Sequence, residues 1–154
     1  PLLNPAPLTG QLMGVYDGNL IETVGDVLLN LGLERAMVVH GDDGLDEITT
    51  TTTTTVCEVK NGKLYKYILN PSDYGIELCK PEALVGGTPN DNAKIIVDIL
   101  KGKGGPKRDI VVLNTGAALY VAKVVDSPKD GIKLARDLIY SGKAYDKYLE
   151  LRSA

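Results

Sequence analysis

A short acidic segment, residues 40–47, contains the side chains best suited to chemistry, and we call it the acidic loop. Its carboxylates are Asp42, Asp43, Asp46 and Glu47. Asp46 and Glu47 are adjacent, and neighbouring side chains of an extended segment point to opposite sides. The pair could therefore contact two ions, or one ion and a water molecule. Such oxygen ligands suit Mg²⁺, which keeps several waters and commonly binds with a phosphorylated substrate. The pattern predicts a magnesium site, with a solvated acidic turn as the alternative.

Other potentially reactive groups give weaker patterns. His40 is the only histidine and has no evident partner for base catalysis, so a structural role is favoured over that of a general base. Cys57 and Cys79 lack CxxC spacing and are predicted to be buried or half-buried thiols. Two cysteines are too few for a disulfide framework and suit a reducing cytosol. The glycines and lysines of residues 101–105 lack the spacing of a phosphate-binding loop and are typical of a helix end.

The elements that precede the acidic loop determine where it lies. Residues 11–16 are a short apolar stretch typical of a strand. Asp17 is a suitable N-cap for an amphipathic helix with apolar positions at i, i+3 and i+4, and Gly32 suits its C-terminal end. Residues 35–39 predict a second strand, which gives a βαβ unit with two parallel strands. The acidic loop follows at the carboxyl end of that strand, where α/β sheets commonly bind ligands.

The middle of the chain predicts an antiparallel hairpin at the edge of this sheet. Residues 56–60 and 63–69 flank Asn61 and Gly62, a pair typical of the type I′ turn. Seven consecutive threonines, residues 49–55, precede the hairpin, and we call them the threonine tract. Threonine favours strands, and its hydroxyl can also bond locally.

The last third of the chain is predominantly helical in pattern. Thr88 and Ser127 are each followed by proline and, at the third position, by aspartate, which predicts two helix starts. A polar helix is predicted from Lys143 onward. Residues 109–120 are ambiguous, since their first half is typical of a buried strand and their second half of a buried helix.

Composition limits the possible classes of protein. The 154 residues suit one domain with a real core, and 44% are hydrophobic. This composition excludes a disordered tail, a collagen-like chain and a disulfide-dense miniprotein. No apolar run approaches the roughly 20 residues that a membrane span needs. With 17 basic and 20 acidic residues the formal net charge is −3, so no broad basic surface for nucleic acid is expected.

Four separated blocks of the sequence resemble one enzyme family. Residues 1–6 with 11–16, then 35–41, 44–47 and 113–120, are similar, in that order, to parts of anthranilate phosphoribosyltransferase from its middle onward. The resemblance covers residues 1–154 and implies the C-terminal portion of that family's catalytic α/β domain. The implied fold is a parallel sheet with flanking helices and an antiparallel hairpin extension, of the nucleoside phosphorylase/phosphoribosyltransferase type. It also implies a helix at residues 113–120.

The resemblance implies an activity and a role for the acidic pair. The family transfers the phosphoribosyl group of phosphoribosyl pyrophosphate to the amino group of anthranilate in tryptophan biosynthesis, with two Mg²⁺ ions. Asp46 and Glu47 match the family's acidic metal-binding pair. The resemblance also implies a cytoplasmic homodimer that binds these two substrates. It implies no binding of nucleic acid or of a membrane. The threonine tract departs from the more varied residues expected after the acidic pair.

Much of the family's binding machinery would precede this chain. The resemblance places the glycine-rich pyrophosphate loop, a Lys-His-Gly-Asn segment, the anthranilate-binding arginine and most of the helical dimerisation domain before Pro1. No catalytic or other cofactor-binding residue is therefore assigned within the chain. Residues 1–7 begin without methionine or a signal-peptide pattern, and we expect the chain to be a segment of a longer protein that is inactive by itself. A processed N-terminus on a complete domain is the alternative.

Two other functions fit the same fold. One is a pyrimidine nucleoside phosphorylase, and the other is a non-catalytic member of the fold that binds nucleic acid. The phosphorylase should lack the pair Asp46 and Glu47 in this context, and the nucleic-acid binder should present a basic face. The sequence meets neither expectation, so phosphoribosyl transfer is the favoured function.

Overall fold

The computed structural model describes residue 2 and residues 8–153, which form a four-stranded sheet with helices on both faces. The strands are β1 (Gly10–Gly14), β2 (Arg35–Gly41), β3 (Thr54–Lys60) and β4 (Lys63–Leu69). The helices are α1 (Leu20–Asn30), α2 (Pro89–Leu100), α3 (Pro106–Val121), α4 (Pro128–Tyr140) and α5 (Lys143–Ser153). Short 3₁₀ turns lie at Pro71–Tyr74 and Pro81–Ala83. The opening block of the family resemblance, residues 1–6, lies outside the described residues except for Leu2.

The βαβ unit is confirmed, with α1 connecting two parallel strands. Gly10 of β1 lies opposite Arg35 of β2, and the register continues to the end of β1. The helix begins at Leu20, three residues after the predicted cap, because the Asp17 carboxylate instead accepts the backbone N–H of Asn19 at 2.9 Å. Gly32 follows the helix with φ of 79°, the left-handed conformation that glycine adopts without strain.

The predicted hairpin is confirmed as an antiparallel extension of the same sheet. The sheet order is β1-β2-β3-β4, and β3 runs antiparallel to both of its neighbours. Asn61 and Gly62 have φ values of 53° and 68°, as the predicted turn requires. Strand β3 starts at Thr54, so the last two residues of the threonine tract belong to the sheet and the others to the preceding loop. The sheet therefore has the predicted mixed architecture.

Alternation along β2 divides the core into two layers. Ala36 and Val38 belong to a cluster that includes Ile21 and Leu28 of α1. Met37 and Val39 belong to a second cluster on the opposite face, formed with α2, α3 and α4. Successive strand residues point to opposite faces, and all four of these strand residues are almost fully buried. The result is a three-layer domain with the sheet in the middle.

Helix α3 resolves the ambiguity at residues 109–120. The strand interpretation of the first half is wrong, because one helix runs from Pro106 through the whole segment. Its buried positions recur with helical spacing and are Val112, Leu113, Gly116, Ala117, Tyr120 and Val121. Gly105 precedes it, and Pro106 occupies the first helical position, where a missing N–H costs nothing. The helix implied by the resemblance at residues 113–120 is thus confirmed.

The starts of α2 and α4 follow the predicted pattern. Thr88 and Asp91 form a reciprocal capping box, in which the Asp91 carboxylate accepts the Thr88 backbone N–H at 3.0 Å. Ser127 Oγ accepts the backbone N–H of Asp130 at 3.1 Å. Helix α5 begins at Lys143, as predicted, and none of its described residues is fully buried.

Replacement of Gly131 by alanine should destabilise the packing of α3 against α4. A Cβ atom at this position would lie 2.2 Å from the carbonyl oxygen of Gly116. Overpacking of this kind costs about 1–3 kcal/mol, against an intrinsic helix preference for alanine of about 1 kcal/mol. Urea denaturation should show a lower free energy of unfolding. Lys133→Ala, at an exposed position of the same helix, is the control. An unchanged or more stable Gly131→Ala protein would contradict the close approach of the two helices.

The outer edge of β1 should make the chain associate with itself. Among the described strands, β1 pairs with β2 alone, so its other edge presents unpaired backbone N–H and C=O groups. The small net charge gives little repulsion. Sedimentation at several concentrations should show concentration-dependent oligomers of the 154-residue chain, and Gln11→Lys should reduce them. A concentration-independent 16.5 kDa monomer would show that the edge is closed.

Candidate metal-binding site

The acidic loop lies at the carboxyl edge of the parallel strands, as predicted. Strand β2 extends to Gly41, two residues beyond the predicted end, and the remaining loop residues turn back toward β1. Asp46 and Glu47 are exposed and line an open groove of about 390 Å³. The other lining residues are Leu12, Gly14, Val39, Asn114, Thr115 and Ala118. The groove thus brings together the ends of two strands, the acidic pair and one face of α3.

A tight turn directs the acidic pair into this groove. The Gly44 N–H donates to the Gly41 carbonyl and the Gly41 N–H to the Leu45 carbonyl, both at 2.8 Å. Gly44 has φ of 95°, in the region that favours glycine. Asp46 and Glu47 follow in a bend rather than in the extended segment that the sequence predicted. Both residues consequently line the same groove, so their carboxylates could contact the same ion.

Gly14 allows the loop to approach the end of β1. A Cβ atom on this residue would lie 1.6 Å from the backbone carbonyl oxygen of Asp46, which is far inside van der Waals contact. Only glycine therefore fits here without a displacement of the loop. The placement of Asp46 depends on a glycine that comes 32 residues earlier in the sequence.

Asn114 of α3 holds the residue that follows the acidic pair. Its side chain accepts the Ile48 backbone N–H at 3.0 Å and donates to the Ile48 carbonyl at 2.7 Å. A further donation to the Ile110 carbonyl at 3.0 Å fixes the amide within the helix. Ile48 itself is fully buried in the core. Asn114 is not among the residues predicted from the sequence, although a single amide within an apolar run is a recognisable signal for such a role.

Asp43 is held by its own set of partners and does not line the groove. Its carboxylate accepts the hydroxyl of Thr49 at 2.7 Å, the backbone N–H of Leu45 at 3.2 Å, and the hydroxyl of Thr51. Burial acts to raise the pKa of Asp43, but the hydrogen bonds from Thr51, Thr49 and Leu45 outweigh it and lower the pKa. Asp43 is thus an ionised structural carboxylate of the loop.

Asp42 is held in the same way from the other end of the threonine tract. Its carboxylate accepts the hydroxyl of Thr55 at 2.9 Å and that of Thr53. Its backbone N–H donates to the Thr53 carbonyl at 3.0 Å. Asp42 is also absent from the lining of the groove, which leaves Asp46 and Glu47 as its carboxylates.

The contacts of the other candidate residues are those of structural side chains rather than of reactive groups. The Nδ1 atom of His40 lies 2.8 Å from the Val15 carbonyl, which can only accept, so Nδ1 carries the hydrogen. This contact supports the structural interpretation of His40.

Cys57 is buried and Cys79 half-buried, both as free thiols, as predicted. Burial raises the pKa of the Cys57 thiol, with smaller contributions from nearby acids. Gly102 ends α2 with φ of 91°, which confirms the predicted helix end.

The groove offers two carboxylates that could hold a hydrated divalent cation. Within residues 8–153, no group of three or more His, Cys, Asp and Glu side chains is arranged to enclose a metal ion. Asp46 and Glu47 would thus supply two carboxylate ligands, and water or phosphate oxygens would supply the others. Mg²⁺ binds in this manner, because it retains several waters and shares its coordination with substrate phosphates.

Comparison with known proteins shows to which family this domain belongs. Residues 1–145 match the family model described as the glycosyl transferase family, a/b domain. The chain belongs to this glycosyl transferase family. A relative from Clostridium beijerinckii, an anthranilate phosphoribosyltransferase, is 63% identical over 153 residues, which are 99% of this chain and 45% of that protein. A second, from Caldanaerobacter subterraneus, is 59% identical and matches 98% of this chain and 44% of its own length.

Solved structures of family members have the same fold. The anthranilate phosphoribosyltransferase of Thermus thermophilus superposes with a TM-score of 0.80 and 36% identity, covering 92% of this chain and 42% of that one. The Saccharomyces cerevisiae enzyme in complex with PRPP and Mg gives 0.82 and 28% identity, covering 95% and 43%. These matches confirm the resemblance and the fold type inferred from the sequence.

The chain spans just under half the length of the curated relatives it matches. None of the relatives described above is a nucleoside phosphorylase or a nucleic-acid-binding protein, so they give no support to either alternative function. In the part of the chain that the structure describes, no helix has the length and apolar character to cross a membrane.

Proposed function

We propose that this chain is the C-terminal portion of the catalytic α/β domain of an anthranilate phosphoribosyltransferase. The observation that carries the proposal is the groove at the carboxyl edge of the sheet, lined by Asp46 and Glu47, in a chain 63% identical to such an enzyme. The remaining N-terminal part of the same protein would supply the other face of the active site. Residues 1–154 then form one corner of a larger catalytic centre.

The reaction exchanges one bond at the C1 carbon of the ribose. The bond between C1 and the pyrophosphate oxygen breaks, and its electron pair leaves with pyrophosphate. The amino nitrogen of anthranilate forms the new bond to C1 with its lone pair and then loses a proton. Positive charge develops on the sugar and negative charge on the leaving group, so both are targets for electrostatic stabilisation.

Asp46 and Glu47 are proposed to act through charge and position rather than as nucleophiles. Bound Mg²⁺ would neutralise the pyrophosphate as it leaves. The two carboxylates would hold this ion at the groove, where they also favour the developing positive charge of the sugar. Asn114, through Ile48, and Gly14, through its contact with Asp46, would keep the pair in place.

The cellular setting follows from the same resemblance. We propose a cytoplasmic enzyme of tryptophan biosynthesis that acts as a homodimer, with the dimer contacts in the N-terminal part. Saccharomyces cerevisiae structures of the family contain PRPP with Mg, and 4-fluoroanthranilate, which supports these two substrate classes for the complete protein.

The proposal is tested with the complete protein and both substrates. Purified enzyme should consume anthranilate, detected by loss of its fluorescence, in a manner that requires phosphoribosyl pyrophosphate and Mg²⁺. Parallel assays with pyrimidine nucleosides and phosphate provide the control for the alternative activity. Phosphorolysis of a nucleoside without consumption of anthranilate would contradict the proposal.

A further inference from the structure

The threonine tract forms a hydroxyl ladder beside the acidic loop. The side chains at odd positions, namely Thr49, Thr51, Thr53 and Thr55, all donate to aspartates of that loop. These positions alternate along the tract although Thr50, Thr51 and Thr52 lie in a bend, and only Thr54 and Thr55 belong to a strand. Seven identical residues thus contain a pattern that the sequence alone does not reveal.

The hydroxyls and one backbone N–H give every carboxylate oxygen of the two aspartates a hydrogen-bond donor. Thr53 and Thr55 donate to the separate oxygens of Asp42. Thr49 and Thr51 share one oxygen of Asp43, and the Leu45 N–H donates to the other. Each carboxylate oxygen therefore has at least one donor within the protein.

The even positions of the tract have other contacts. Thr54 Oγ1 accepts the Thr49 backbone N–H at 3.0 Å, and Thr50 Oγ1 lies 3.5 Å from the Cys79 sulfur. Thr52 donates to neither aspartate in the described structure. The tract consequently includes a matched position at which a hydroxyl can be removed without loss of the ladder.

We propose that the odd-numbered threonines are positioning residues for Asp46 and Glu47. They hold Asp42 and Asp43 on the far side of the loop, so that the adjacent pair lines the groove and receives the divalent cation. This inference rests on the proposed function, because it assumes that the cation binds at the pair. The threonines contact neither the ion nor the substrates and act through the loop.

The ladder is tested by removing two hydroxyls while side-chain volume is nearly kept. Thr49→Val/Thr51→Val in the complete enzyme should weaken binding of Mn²⁺, measured by electron paramagnetic resonance with inorganic pyrophosphate present, about tenfold. The Mg²⁺ concentration for half-maximal rate should rise in parallel, while the rate at saturating Mg²⁺ stays within about twofold, because the ligands themselves remain. Thr49→Ser/Thr51→Ser should restore binding, since serine keeps the hydroxyl.

Thr52→Val is the matched control and should leave Mn²⁺ affinity unchanged. If the double valine variant binds Mn²⁺ as tightly as this control, the positioning role is wrong. If Asp46→Asn/Glu47→Gln also leaves Mn²⁺ affinity unchanged, the proposed metal site is wrong instead, so the two failures are distinguishable. If the double variant does not fold, the single Thr51→Val variant at a half-buried position provides the same comparison.

Discussion

Replacement of Asp46 by Asn and Glu47 by Gln in the complete enzyme is expected to lower the rate of phosphoribosyl transfer about 10²–10³-fold at a fixed, moderate Mg²⁺ concentration. The substitutions remove two charges that line the groove while they keep side-chain size. Cation affinity should fall, and with it the neutralisation of the leaving pyrophosphate. A Mg²⁺ titration at saturating substrates should show a steep rise in the concentration required.

Asp26→Asn/Glu150→Gln is a suitable control, because it removes the same number of charges from exposed positions on α1 and α5. This control should leave the Mg²⁺ dependence unaltered. If Asp46→Asn/Glu47→Gln also retained the original rate and Mg²⁺ dependence, the pair would be a solvated acidic turn, the alternative interpretation of its sequence.

The 154-residue chain by itself should give no measurable transfer of the phosphoribosyl group. Holding two substrates in reactive geometry lowers the barrier by about 7–11 kcal/mol, and the resemblance places most of the groups that hold them outside this chain. The groove is open, and the chain spans only 45% of the Clostridium beijerinckii enzyme. Anthranilate fluorescence should therefore remain constant with the purified chain.

The complete enzyme in the same assay is the positive control. Consumption of anthranilate by the isolated chain that depends on phosphoribosyl pyrophosphate would show that residues 1–154 hold both substrates. The proposal that the N-terminal part of the protein supplies most of the substrate-binding groups would then be wrong.

Local sequence patterns were sufficient for most of the fold. Asn61 and Gly62 specify their turn because few other residues adopt two successive positive φ values. Thr88 with Asp91 specifies a helix start because the cap is built from residues three apart. Both signals are contained within a few neighbouring residues, so no tertiary information is needed to interpret them.

Residues 109–120 could not be assigned by pattern because they are predominantly apolar, with only Asp109, Asn114 and Thr115 as polar residues. A buried helix and a buried strand are both rich in apolar residues, and a short run does not separate the two periods. Packing decides the outcome: Gly116 of α3 contacts Gly131 and Ile132 of α4, a close approach that only the folded chain displays.

The sequence predicted the acidic pair of the candidate site but not the residues that hold the pair in place. The βαβ pattern places the acidic loop at the correct edge, since that position follows from topology alone. Asn114, by contrast, contacts Ile48 across 66 residues of sequence, and Gly14 contacts Asp46 across 32. No local pattern shows which residue such a side chain contacts, and the same holds for the direction of each threonine hydroxyl.

The most direct measurement is a crystal structure of the complete enzyme grown with Mn²⁺ and phosphoribosyl pyrophosphate, with the ions located by anomalous scattering. We expect an anomalous peak within coordination distance, about 2.0–2.6 Å, of carboxylate oxygens of Asp46 and Glu47. A peak bound instead at Asp42 and Asp43, or ions that contact no residue of the acidic loop, would contradict the assignment of this groove as the metal-binding corner of the enzyme.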